Sequence, residues 1–321
     1  MTLDEDAAAF LRELNAAAAD APSFSELGII AAREMSQALF TGFVPSTEPA
    51  CHSENLILEG RDGPIGARLY RPANPVAPER AIPLVVFFHG GGWAMGDLDS
   101  YHELVSDLCD RSGIALLSVD YRLAPEHPYP AGLHDCIDSL HWVVRHAASL
   151  GVDPTRLGVM GDSAGGNLAA VVAHQLHGGG ELAIKAQYLI YPMLDISRPH
   201  ESYPSRIDWG GGDYLLDLGA IDTTANWYVP DRSIRRDDPA ISPLFIEDVS
   251  GLPPTFLIAA GHDPLRSENE TFVARLKDAG VKTRYRCFKG AIHAFLSFPQ
   301  FTAAQTARSW LGESMAQLAG D

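Results

Sequence analysis

The chain has 321 residues, 46% hydrophobic and 20% charged, which fits one large globular α/β unit with an insertion or two ordinary domains. Its net charge of −17 comes from 41 acidic and 24 basic residues with no Lys/Arg cluster, which argues against nucleic acid and anionic membrane surfaces as partners. The four cysteines (Cys51, Cys109, Cys136, Cys287) are scattered, residues 1–6 are acidic where a signal peptide is basic, and no apolar run approaches a membrane span, so a cytoplasmic protein with reduced thiols is expected.

In chain order, Thr2 and Glu5 have the spacing of a capping box, predicting an Ala-rich helix through about residue 19. Ser23 and Glu26 predict a second helix, with Leu27, Ile30, Ala31 and Met35 on one face. Both precede the first strand-like segment and are candidates for part of a lid. Short strands are expected at 56–58 and 64–70, around a turn at 60–63. The run PLVVFF at 83–88 reads as a strand buried on both faces. A glycine-rich loop follows, then a helix at 99–110, a strand at 114–119 and a long helix at 131–149. A strand at 157–160 leads into a turn around Ser163, and a helix at 167–177 leaves it. After a strand at 186–191, residues 195–238 are rich in Pro, Gly, Trp and Tyr, lack β-α alternation and read as an inserted cap. Alternation resumes with a strand at 254–260, a helix at 267–279, a strand at 283–288 and a last helix at 299–319. Such alternation predicts a mostly parallel sheet covered by helices on both faces.

Two segments carry chemistry. Gly161-Asp162-Ser163-Ala164-Gly165 is a G-x-S-x-G turn between an apolar strand and an apolar helix, the setting that exposes a nucleophilic serine. His89-Gly90-Gly91-Gly92 follows the PLVVFF strand, and its amides, free of side chains, are suited to hold a developing oxyanion. The expected donors are the amides of Gly91, Gly92 and Ala164. No G-x-G-x-x-G register runs through residues 90 to 96 and no G-K-[ST] occurs, which argues against a phosphate loop. Ser163 needs a base, and the base an acid to orient it. Asp263 and His293 each follow a predicted strand, at the carboxyl ends where open α/β sheets bind ligands. His262 is the rival base, but Asp263 is poorly placed to orient its own neighbour. No H-E-x-x-H or comparable set points to a metal, and no cofactor is expected.

With HGGGW at 89–93, DYRLAPE at 120–126 with His127-Pro128, GDSAGG at 161–166, Asp263-Pro264-Leu265 and His293, the chain resembles the hormone-sensitive-lipase-like (bacterial family IV) carboxylesterases of the α/β-hydrolase superfamily. The resemblance covers about residues 45 to 300. It implies an α/β-hydrolase fold with catalytic residues Ser163, Asp263 and His293 and an oxyanion hole at Gly91, Gly92 and Ala164. It implies a cap from residues 1–45 and 195–238 over a catalytic domain of 46–194 and 239–321. A small ester is the implied partner, and a homodimer stays open. Ala294 and Ser267 depart from the family, which usually has Gly and an acidic residue there. The expected chemistry is two-step acyl transfer that loses activity in acid, since His293 must be neutral to act. Trp93, Tyr191, Trp209, Tyr214, Trp227 and Phe295 are candidate pocket walls. Amide or formamide hydrolysis, deacetylation, and a non-catalytic small-molecule receptor stand as alternatives.

Overall fold

The computed structural model describes residues 2–17, 22, 24–42, 51–76, 81–177 and 182–320. Ser23 and residues 18–19, which the sequence places in the N-terminal helices, lie outside the described residues, as does the cap boundary expected at 45. The strands are β1 (His52–Gly60), β2 (Gly63–Arg71), β3 (Ile82–Phe88), β4 (Ala115–Asp120), β5 (Val152–Asp162), β6 (Ile184–Ile190), β7 (Thr255–His262) and β8 (Thr283–Ile292). They form one eight-stranded sheet in the order β1-β2-β4-β3-β5-β6-β7-β8. The β1–β2 hairpin and the β2–β4 pair are antiparallel, and every pair from β4–β3 to β7–β8 is parallel.

The helices are α1 (Glu5–Ala17), α2 (Ile29–Gly42), α3 (His102–Ser112), α4 (Ala131–Leu150), α5 (Ala164–Gln175), α6 (Pro204–Trp209), α7 (Leu218–Tyr228), α8 (Arg266–Asp278) and α9 (Thr302–Ala316). The continuous apolar run of β3 is explained by its place in the sheet. Leu84, Val86 and Phe88 enter the core shared with α4, α5 and α8, while Val85 and Phe87 enter the core shared with α1, α3 and α9. Side chains alternate across a strand, so a strand covered on both faces must be apolar at every position. Full burial of one such side chain contributes roughly 1.5–3 kcal/mol.

The predicted strands are all present but longer than expected at several ends, most usefully at β5 and β8, which run up to Ser163 and His293. Residues 195–238, expected as part of a helical cap without β-α alternation, contain α6 and α7. Pro204 starts α6, where its missing N–H costs nothing. Asp217 caps α7 by accepting from the Ala220 N–H at 2.7 Å. Among the described residues no helix is long and apolar enough to cross a membrane.

Candidate active site

Ser163 stands between the last residue of β5 and the first of α5. Its φ of 53° and ψ of −118° are strained for a residue with a Cβ, at a cost of order 1–3 kcal/mol. The surroundings enforce the turn. The Ser163 N–H donates to the Ile190 carbonyl at 2.9 Å, and its carbonyl accepts from Met193 at 3.1 Å and from Asn167 at 3.0 Å. Glycine is required on both sides, because a Cβ at Gly161 would run into the Gly165 carbonyl and one at Gly165 into that of Phe88. The turn lifts Oγ off the sheet at the N-terminus of α5, where unpaired amides and the helix dipole favour negative charge.

Asp263 directly follows β7 and His293 directly follows β8, and sheet order places β6, β7 and β8 successively beside β5. His293 Nδ1 lies 2.8 Å from Asp263 Oδ2, and His293 Nε2 lies 3.0 Å from Ser163 Oγ. The carboxylate can only accept, so Nδ1 carries the proton and Nε2 faces the serine hydroxyl with its lone pair. Asp263 is 1% exposed and its other oxygen accepts from the Leu265 N–H at 2.8 Å, which fixes the carboxylate plane. The rival base His262 points elsewhere, into contact with Trp209 at 4.5 Å and Tyr214 at 5.5 Å between ring centroids. Ala294, next to the histidine, has φ 60°, the left-handed conformation that glycine adopts without strain.

The candidate pocket aromatics separate. Tyr191 lies 4.9 Å from His293 between ring centroids, and Phe295 lies 5.8 Å from Tyr191. Trp209 and Tyr214 pack on each other and on His262. Trp227 contacts Phe24 at 6.0 Å. Trp93 is 2% exposed and stacks flat on Tyr228, centroids 4.5 Å apart, so its ring joins α7 to the glycine loop.

Gly91 and Gly92 have φ of 106° and 60°, in the left-handed region that glycine adopts without strain. A Cβ at Gly92 would lie 2.6 Å from Thr224 Cγ2, so α7 of the insertion presses directly on this loop. Sequence reasoning missed the groups that hold the loop. The Asp162 carboxylate accepts from the Gly90 N–H at 2.8 Å and from the Tyr101 hydroxyl at 3.1 Å. The Tyr121 hydroxyl donates to the His89 carbonyl at 2.8 Å, and Arg33 of α2 donates to the Ala94 carbonyl at 2.8 Å. His89 Nδ1 lies 2.8 Å from the Gly90 carbonyl, and burial pushes its imidazole down to about 4, so it stays neutral and donates. Burial pushes the Asp162 carboxyl up to about 6. The only signal for Asp162 was its place beside Ser163, since its partners are 72 and 61 residues away.

Arg122 and Glu126 of the DYRLAPE stretch bind different elements. Arg122 pairs with Asp135 of α4 at 2.8 Å and Asp62 at 3.1 Å, whereas Glu126 pairs with Arg33 at 2.7 Å. The insertion is fastened to the loop that carries Asp263. Ser205 of α6 donates to the Pro264 carbonyl at 2.6 Å and exchanges hydrogen bonds with Ser267. Arg206 pairs with Glu268 at 2.6 Å, both 1% exposed or less, and Glu268 also accepts from the Leu194 N–H.

A family model described as the alpha/beta hydrolase fold matches residues 85–297. The chain belongs to the hormone-sensitive-lipase-like family of α/β hydrolases. By class it is a carboxylic ester hydrolase. It is 39% identical over 259 residues to the carboxylic ester hydrolase LipN of Mycobacterium tuberculosis, a match covering 79% of this chain and 66% of that protein. It is 35% identical to an ethyl acetate hydrolase of Pseudomonas putida, with 92% of each chain covered. Among solved structures, an ester hydrolase from the metagenome of Lake Arreo superposes with a TM-score of 0.92 at 32% identity, with 100% of both chains covered. A hyperthermophilic esterase of Pyrobaculum calidifontis superposes with a TM-score of 0.89 at 35% identity, again with 100% of both chains covered.

Proposed function

We propose that this family member is a serine esterase for short- to medium-chain acyl esters, with Ser163 as nucleophile, His293 as base and Asp263 as the residue that orients it. The observation that carries this reading is the continuous relay from Asp263 Oδ2 to His293 Nδ1 at 2.8 Å and from His293 Nε2 to Ser163 Oγ at 3.0 Å. Ser163 Oγ attacks the ester carbonyl while Nε2 takes its proton, and the imidazolium is stabilised by Asp263. The oxyanion rests on the amides of Gly91, Gly92 and Ala164, where one donor is worth about 3 to 4 kcal/mol. His293 then protonates the departing alcohol oxygen, and water attacks the acyl-enzyme by the same route. Residues 1–45 and 195–238 act as a cap. Arg33 and Thr224 support this part of the reading, since each brings one of those segments against the glycine loop. Short acyl chains are supported by the Pseudomonas putida relative, which is named for an acetate ester.

The test is hydrolysis of p-nitrophenyl esters from acetate to palmitate by the protein and by Ser163→Ala. Turnover concentrated on short chains and abolished in the variant is expected. Turnover that survives in Ser163→Ala, or that favours palmitate, contradicts the reading.

A further inference from the structure

The register of β3 beside β5 pairs Phe88 with Gly161, so Gly90, two residues past β3, and Asp162, the last residue of β5, lie together at the ends of neighbouring strands. There the Asp162 carboxylate, 1% exposed, accepts the Gly90 N–H on one oxygen at 2.8 Å and the Tyr101 hydroxyl on the other at 3.1 Å. The fit is close, since a Cβ at Gly90 would lie 2.6 Å from Asp162 Oδ2 and 2.8 Å from the Tyr101 oxygen. One step along the chain from Asp162 is Ser163, and one step from Gly90 is Gly91. We infer that Asp162 is a positioning residue, whose carboxylate fixes the spacing between the nucleophile and the oxyanion amides of Gly91 and Gly92. The inference rests on the esterase reading above.

The physical argument is one of registration. Oxyanion donors act only within about 2.7–3.1 Å of the place where charge develops, and a misplacement of about 1 Å can cost 10²-fold in rate. Gly91 and Gly92 have no side chains with which to anchor themselves. A carboxylate accepts on both oxygens and has no hydrogen of its own to place, so it suits a site with two donors. Burial raises its proton affinity, to a pKa of about 6, yet leaves it mainly ionised at neutral pH.

The experiment compares Asp162→Ala, Asp162→Asn and the unmodified protein. It reads kcat and KM on p-nitrophenyl acetate, and inhibition by a trifluoromethyl ketone, whose serine adduct places an oxyanion in the hole. Asp162→Ala is expected to lose about 100-fold in kcat with KM within about threefold, and to bind the ketone proportionally more weakly. Asp162→Asn keeps an acceptor for Gly90 and can donate to a reoriented Tyr101 hydroxyl, so it is expected to stay within about fivefold. An Asp162→Ala enzyme close to wild type, or an Asn variant as poor as Ala, overturns the inference. If Asp162→Ala does not fold, Gly90→Ala decides, because its methyl breaks the same contact. The same kcat-selective loss is then required, and a loss confined to KM, or none, overturns the inference. If the unmodified protein itself fails to hydrolyse the ester, the esterase reading has failed instead, so the two failures are distinct.

Discussion

At the scale of single residues, the 2.8 Å contact between His293 Nδ1 and Asp263 Oδ2 sets the tautomer that leaves Nε2 open toward Ser163. Asp263→Asn would offer an amide in place of an acceptor and favour the wrong tautomer. A fall in kcat of about 10⁴-fold with little change in KM is expected from steady-state kinetics, and a change in KM alone would contradict the assignment. Ala294 at φ 60° carries the opposite kind of information. Ala294→Gly should raise stability by up to about 1 kcal/mol in urea titration, since relief of left-handed strain outweighs the added freedom of the unfolded chain. A loss of that size would show that the alanine methyl is needed for packing. The proposed catalytic residues were legible because each sits in a local motif at the end of a predicted strand. Asp162 was not, because its partners come from loops far away in sequence. Trp93 shows the limit for aromatics, since a ring that stacks on Tyr228 and one that lines a pocket have the same letter.

At the scale of elements, the insertion matters through its contacts with the glycine loop, with the loop that carries Asp263 and with α8. Its helices were hard to read. α6 spans only six residues, and α7 contains Gly219, Ile221, Thr223 and Thr224, all weaker helix formers than Ala. The Arg206–Glu268 pair joins α6 to α8 in the dry interior, where attraction competes with lost hydration. Burial dominates for Glu268, which moves from its ordinary 4.5 up to about 7 despite the guanidinium. A carboxyl raised in the folded state binds more protons folded than unfolded, so its contribution to stability is full in acid and declines as pH rises from about 4.5 to 7. Arg206→Met removes the compensating cation. It should cost about 3–5 kcal/mol near pH 8 and less near pH 5, where Glu268 is protonated. Adding Glu268→Gln, which still accepts from Leu194, should recover most of the loss. Denaturant titrations of the single and double variants at both pH values check this, and an additive double variant would contradict it.

At the scale of the whole molecule, the parallel strands deliver the glycine loop, Ser163, Asp263 and His293 to one edge of the sheet, from segments spread over about 200 residues of chain. The alternation of strands and helices made this arrangement legible, because parallel strands covered by helices bring their carboxyl ends together. What alternation could not convey is how the flanking segments contact that edge, since side-chain contacts such as Arg33 on the Ala94 carbonyl decide it. The proposed chemistry draws only on side chains and backbone amides of this chain. Prolonged dialysis against a chelator should therefore leave turnover unchanged, and a loss restored by a divalent cation would contradict the mechanism. The central claim is that an acyl group passes through Ser163, and trapping it tests the claim most directly. Mixing enzyme with p-nitrophenyl acetate, quenching in acid within the first turnovers and mapping peptides by mass spectrometry should find acetyl on Ser163 and nowhere else, with none in Ser163→Ala. Ester turnover with acetyl on another residue, or turnover that persists in Ser163→Ala, would contradict the account.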